Sequence, residues 1–192
     1  FYINDGKGRF ARQPLAGSPR FLDEDGQPLA EEPDFFGLAA AFHDVNADGR
    51  PDLYVCNDFE DPDQVWINQG AGAFRLIDRR AIRATSNSCM SVAFADVDAD
   101  GAQDIFTADM LALDDRRRKT QVPTHTPLPK RAGLEDDRPQ MQRNTLQLAR
   151  GDGSFAQAAE AAGVDASGWT WGSTFSDVDL DGRPDLLLAT GH

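Results

Sequence analysis

The chain is poor in the features that usually place a protein quickly. Only two cysteines, Cys56 and Cys89, occur in 192 residues, which is too few for a disulfide scaffold and the wrong pattern for a zinc site. No apolar run approaches the roughly 20 residues a membrane helix needs, so no membrane span is expected. Positive charge is scarce as well: 19 Lys and Arg stand against 32 Asp and Glu, for a net charge of −13. Nucleic acid is therefore excluded as a partner, because its binders carry a basic stripe. Histidine is rare, and His43 and His125 stand alone, with no converging acid, base or nucleophile to suggest catalysis.

What is present is enough for a packed core, with 40% apolar residues and 12 Phe. Residue 1 is a Phe inside what reads as a strand. That predicts a piece of a longer chain, with any export signal outside it.

An internal repeat organises the sequence. Asp44-Val45-Asn46-Ala47-Asp48-Gly49-Arg50-Pro51-Asp52 recurs as Asp96-Val97-Asp98-Ala99-Asp100-Gly101-Ala102-Gln103-Asp104 and again as Asp177-Val178-Asp179-Leu180-Asp181-Gly182-Arg183-Pro184-Asp185. An alternating segment precedes each copy, with Leu38, Ala40 and Phe42, then Met90, Val92 and Phe94, then Trp171, Ser173 and Phe175 on one face. Small residues occupy the other face, as for a strand packed between two sheets. A short apolar run follows each copy: Leu53-Tyr54-Val55, Ile105-Phe106-Thr107 and Leu186-Leu187-Leu188. Hairpins with Gly-rich turns recur at residues 2–10, 66–74 and 146–155.

Spacing fixes the register. Phe74 to Asp96 and Phe155 to Asp177 are both 22 residues, whereas Asp44 to Asp96 is 52 and Asp96 to Asp177 is 81. The second unit therefore carries an insertion of 29 residues. Units of about 50 residues with four strands have the size of propeller blades. The expectation is an all-β arc of four-stranded antiparallel blades, an incomplete ring. Residues 1–14 supply strands three and four of one blade, 36–80 a full blade, 88–160 a full blade with the insertion at 111–143, and 169–192 strands one and two of the next. The remaining blades of the full-length chain would be its first partners.

The nonapeptides predict the chemistry. Oxygen ligands at alternate positions, with Gly at the sharp turn, suit a hard cation such as Ca²⁺. The expected side-chain ligands are Asp44, Asn46, Asp48 and Asp52; Asp96, Asp98, Asp100 and Asp104; and Asp177, Asp179, Asp181 and Asp185. Backbone carbonyls of Arg50, Ala102 and Arg183 complete three sites, each in the loop between strands one and two. Turns that bind nothing are disfavoured, because three or four carboxylates within nine residues repel. An EF-hand needs Glu at the twelfth position, where Val55, Thr107 and Leu188 stand instead. Three divalent ions would bring the net charge from −13 to −7. The metal reads as structural rather than catalytic.

With these residues in view, the chain resembles the FG-GAP/VCBS-repeat propellers, and within them the cartilage-acidic-protein-like group associated with an ASPIC/UnbV domain. The loops carry the general likeness. The narrower one rests on Tyr54-Val55-Cys56-Asn57-Asp58-Phe59, Thr107-Ala108-Asp109-Met110-Leu111, Arg116-Arg117-Arg118-Lys119, Asn144-Thr145-Leu146-Gln147-Leu148, Gly168-Trp169-Thr170-Trp171-Gly172 and the closing Ala189-Thr190-Gly191-His192. The resemblance implies a calcium-stabilised module at an extracellular, periplasmic or cell-surface location, with no catalytic residues to carry over.

Function then reads as binding or adhesion rather than catalysis. The alternatives are part of a secreted hydrolase or lyase acting on extracellular polymer, or a scaffold piece of a larger assembly. The candidate ligand residues lie on the face opposite the metal loops: Asn57, Asp58 and Phe59 at one corner, and Arg116, Arg117 and Arg118 in the insertion. Residues 111–143 are locally basic and Pro-rich and read as an irregular loop. A protein or acidic polysaccharide would suit the arginines, unless they pair with the chain's own carboxylates. Trp169 and Trp171 read as blade-interface residues rather than a sugar platform. Cys56 and Cys89 fall on the same face of neighbouring blades, and a bridge and two free thiols both remain open.

Overall fold

A computed structural model describes residues 1–59, 61–121 and 138–191. The chain opens with the hairpin β1 (Tyr2–Asn4) and β2 (Phe10–Arg12), followed by β3 (Phe21–Leu22). The first full sheet comprises β4 (Gly37–His43), β5 (Asp52–Asn57), β6 (Gln64–Gly70) and β7 (Ala73–Leu76), each antiparallel to the next. After β8 (Thr85–Ser86) the second sheet begins with β9 (Ser91–Ala95) and β10 (Asp104–Ala108). Helix α1 (Asp115–Gln121) and β11 (Gln140–Met141) interrupt it before β12 (Thr145–Ala149) and β13 (Phe155–Gln157) complete it. A one-turn helix, α2 (Ala159–Ala162), leads to the closing pair β14 (Thr170–Ser176) and β15 (Asp185–Thr190).

Both full sheets are built the same way. In each, the second strand pairs with the first across the nonapeptide loop, and the third with the second. His43 stands opposite Asp52 at the base of one loop, as Ala95 stands opposite Asp104 at the other. Leu53 pairs with Trp66 and Ile105 with Gln147, so positions 53 and 105, and 66 and 147, are equivalent.

The sheets stack through their inner strands. Strand β9 packs against β4 and β5, and β14 packs against β9 and β10. The bulky face foreseen from the alternation meets the preceding sheet: Phe94 lies edge-on to Tyr54 and stacks on His43, and Phe175 lies edge-on to Phe106. Tyr54, Ile105 and Phe106 are fully buried as a result. Truncating a ring such as Phe106 to Ala removes those contacts at a cost of about 3–5 kcal/mol. The equivalent Phe42 is 56% exposed, because none of the described residues supplies the second strand of a preceding unit.

Two features depart from the sequence expectation. The first sheet has a fifth strand: β3 pairs parallel to β7, Phe21 opposite Phe74, at the outer edge. Phe21 is held there by Trp66 and Phe74, an aromatic cluster whose burial overrides the Pro- and Gly-rich composition around it. The insertion, expected to be irregular throughout, instead begins with α1. Asp114 caps it by accepting a hydrogen bond from the Arg117 N–H at 2.9 Å. Pro123, His125, Pro127 and Pro129 of the insertion, and His192, lie outside the described residues.

Cys56 at the end of β5 and Cys89 just before β9 form a disulfide across the seam between the two full sheets, with Cα atoms 5.0 Å apart. Both are completely buried. The bridge answers the question that spacing left open. It closes a loop of 33 residues, for which chain-entropy arguments give a stabilisation of about 3.7 kcal/mol. Alkylation in denaturant without reduction should therefore leave the mass unchanged, and prior reduction should expose two reactive thiols. Full labelling of the unreduced protein would exclude the bridge.

Candidate functional site

Each nonapeptide folds around its own carboxylates. In the second loop Asp96 accepts hydrogen bonds from the Asp100 and Gly101 N–H groups, both at 3.0 Å. Asp177 holds the Asp181 and Gly182 N–H groups in the same manner, and Asp44 those of Asp48 and Gly49. These contacts require two left-handed residues per loop. Gly49, Gly101 and Gly182 supply one, at φ 82°, 91° and 87°, where glycine carries no Cβ penalty. Ala47, Ala99 and Leu180 supply the other, at φ near 60°. An L-residue held there is strained, so the surrounding hydrogen bonds fix the conformation.

The ninth-position Asp ties the loop to the sheet. Asp52 accepts from the Val45 N–H at 3.1 Å and from the Asn68 N–H, on β6, at 2.7 Å. Asp104 accepts in the same way from Val97 at 2.9 Å and from Ala149 at 2.8 Å. Both carboxylates are 1% exposed, and burial pushes their pKa above the ordinary carboxylate value against those hydrogen bonds. Asp185 keeps the contact to Val178 but is exposed.

The loops bring the expected ligands together unequally. Carboxylate oxygens of Asp96, Asp98 and Asp104 lie within 4.8 Å of one another, as do those of Asp177, Asp179 and Asp185. Oxygen-only clusters of this density fit a hard divalent cation. Asp100 and Asp181, at the fifth position, accept the N–H of Ala102 and Arg183. The first loop differs because Asn46 replaces a carboxylate and donates to Asp48, while the Arg50 guanidinium contacts Asp48 at 2.6 Å. That internal cation occupies part of the charge a metal would use.

At the opposite end of the sheets the described residues include a buried polar network. Asn57 is completely buried, its N–H donating to Asp63 at 3.0 Å and its amide to the Pro62 carbonyl at 2.9 Å. It is a structural residue, out of a ligand's reach. Phe59, with φ 63°, packs edge-on to Phe36, and Asp58 donates its N–H to the Phe36 carbonyl. Among the arginines of α1, Arg117 pairs with Asp114 at 3.6 Å and Arg118 donates to the Ala112 carbonyl at 2.7 Å. Internal pairing thus engages two of the three, while Arg116 is exposed.

Sequence reasoning missed a second repeated pair. Asp63 and Asn144 occupy equivalent positions, and so do Asn57 and Asp109. In the first sheet the Asn57 N–H donates to Asp63; in the second the Asp109 N–H donates to Asn144 at 2.8 Å. Each unit therefore holds one carboxylate and one amide, exchanged between the strands. The signal was in the spacing, five residues beyond each ninth-position Asp and one before each third strand.

Asp63 also accepts from the Tyr54 hydroxyl at 2.8 Å, and Arg138 donates to the Asp63 and Ile82 carbonyls. Asp109 accepts from the Ser86 hydroxyl and the Asn87 and Ser88 N–H groups. Desolvation pushes the Asp63 carboxyl up to about 7, with Asp109 adding to the shift and Tyr54, Asn57 and Arg138 opposing it. A folded-state value above the unfolded one means this contribution is fully present below about pH 4 and is lost as pH rises through about 7. Asp63→Asn, which copies Asn144, should reduce the stability lost between those limits in denaturant titrations. Asp109, also raised by burial, leaves a residual slope. An unchanged pH profile would count against a buried protonated Asp63.

The FG-GAP-like repeat family matches residues 44–107 and 136–188, two segments that begin at or just before the metal-loop or third-strand halves of the units. No curated protein matches the chain. Because those segments cover more than half of its length, the chain belongs to the FG-GAP-like repeat family.

Proposed function

We propose that the chain is an arc of a calcium-stabilised β-propeller, a module for extracellular binding or adhesion whose metal is structural rather than catalytic. The observation that carries this reading is the pair of carboxylate triads at Asp96, Asp98 and Asp104 and at Asp177, Asp179 and Asp185. They recur at the same place in successive units. Calcium would supply charge neutralisation there. The chain's own residues do the rest: the first and ninth aspartates organise the loop and fasten it to the third strand.

Stacked antiparallel units joined through their first strands support the propeller reading, as does family membership. The exposed Phe42 and Leu187 support an arc, since Phe94 and Phe106 at equivalent positions are covered by neighbouring sheets. A buried disulfide favours an oxidising compartment, hence an extracellular, periplasmic or surface location. FG-GAP repeats are typical of extracellular binding and adhesion modules. The narrower grouping with cartilage-acidic-protein-like chains rests on the segments around Asn57, Asp109 and Asn144, where the buried amide-carboxylate pairs lie.

Calcium should raise the thermal midpoint of the protein and EDTA lower it. With a dissociation constant of about 10⁻⁴ M, roughly 1 mM Ca²⁺ adds about 1.4 kcal/mol per site. Joint substitution Asp98→Asn and Asp100→Asn should remove about one site's share. Calorimetric titration should show the first loop filling last, because of Asn46 and the Arg50–Asp48 contact. A midpoint indifferent to both calcium and EDTA would sink the metal assignment.

A further inference from the structure

A cleft lies on the metal-loop side, away from the basic insertion. It has a volume of about 530 Å³ and opens at the outer end of the seam between the two full sheets. Val45, Ile67, Ile77 and Phe155 form an apolar floor, continuous with the core that fills the same seam. Arg75 and Arg150 stand on its walls. A smaller cleft shares Arg150, Ser154 and Phe155 with it and adds Arg83, so three guanidiniums flank one continuous groove.

Neither Arg75 nor Arg150 is a requirement of the repeat. Arg75 lies opposite Ile67 in the register of β6 and β7, where the second sheet places Ala156 opposite Leu148. Gln69 occupies the position equivalent to Arg150. Both arginines are exposed, and neither makes a side-chain hydrogen bond or ion pair among the described residues, although the charge of Arg150 reaches Asp152. In a chain of net charge −13, three such cations around an apolar floor form a local exception. Asp100 is the one carboxylate among the described residues that line the larger cleft. A cation held by the second loop would offset its charge and leave the rim basic.

We infer that this seam cleft binds an acidic peptide segment, seating an apolar side chain on the Ile67–Ile77–Phe155 floor with carboxylates on Arg75, Arg83 and Arg150. The volume falls in the range of small-ligand sites, roughly 300–1,000 Å³. Guanidinium forks match carboxylates in geometry and charge. The floor favours peptide over polysaccharide: it is aliphatic apart from Phe155, which is only 9% exposed and offers no open ring face for a sugar. This inference rests on the binding-module reading above.

The test uses the calcium-loaded protein and a fluorescein-labelled pentapeptide of four glutamates around a central isoleucine, followed by anisotropy. A matching peptide with glutamine for glutamate and a hexagalacturonate oligosaccharide serve as comparisons. Saturable binding of the acidic peptide, weakened by salt and absent for the neutral one, is expected. Each of Arg75→Gln and Arg150→Gln should weaken it about tenfold, the effect of one lost charge-assisted contact. The double substitution Arg116→Gln and Arg117→Gln, in α1, should leave it unchanged. Thermal midpoints with calcium establish that the cleft variants are folded and metal-responsive. Absence of saturable binding with that response intact would remove the cleft and leave the calcium-stabilised fold standing. Loss of peptide binding in the α1 variant, or equal binding of the neutral peptide, would also overturn the assignment, as would hexagalacturonate binding where the peptide does not.

Discussion

A buried carboxylate that accepts two backbone N–H groups is the constraint on which each full unit depends. Asp52 and Asp104 reach back to the second residue of their own loop and across to the third strand. Neither contact belongs to an ordinary strand ladder, and each satisfies a donor that the turn would otherwise leave orphaned. With one side chain fixing both loop closure and strand register, the loop's carboxylate cluster and its attachment to the sheet are set by the same residue. The exposed Asp185 illustrates the dependence: it keeps its loop contact while the closing pair has no third strand among the described residues to which it could be tied.

The other end of the units solves a related problem with different chemistry. The strand-two to strand-three connections converge near the disulfide, where the backbone leaves the ladder but stays buried. Paired amides and carboxylates at Asn57 and Asp63, and at Asp109 and Asn144, take up the stranded N–H groups. Having one carboxylate per unit rather than two limits like-charge repulsion in a low-dielectric setting. Arg138, entering from the far end of the insertion, fastens that segment onto the first sheet through two carbonyls. The insertion is thus tied into the seam at its return, which its reading as an irregular loop did not foresee.

Charge is distributed in keeping with this division. The acid is concentrated where backbone N–H groups and a cation can balance it, in the loops, and the interior carboxylates are few and hydrogen-bonded. The seam cleft reverses that sign locally: Arg75, Arg83 and Arg150 stand there against one carboxylate, Asp100, among the described lining residues.

Much of the architecture was legible in the sequence because repetition supplied its own control. Three copies of the nonapeptide, with strands of period two on either side and a 22-residue return, define which residues pair and which face is bulky. Phe94 and Phe175 fall on the packed face as that pattern required. The loop turns were equally readable, since Gly49, Gly101 and Gly182 mark positions that need positive φ. Other features had no repeating signal. The parallel strand β3 exists only because Trp66 and Phe74 offer Phe21 a buried surface, and α1 depends on one capping residue in a Pro-rich context. The exchange of amide and carboxylate between Asn57–Asp63 and Asp109–Asn144 was invisible as identity, because the two units use opposite residues for one purpose. Sequence by itself thus determined the repeat, the loop turns and the strand register, all of which are local along the chain. Tertiary structure decided the disulfide and the cleft, because each joins residues from two units whose separation no local period encodes.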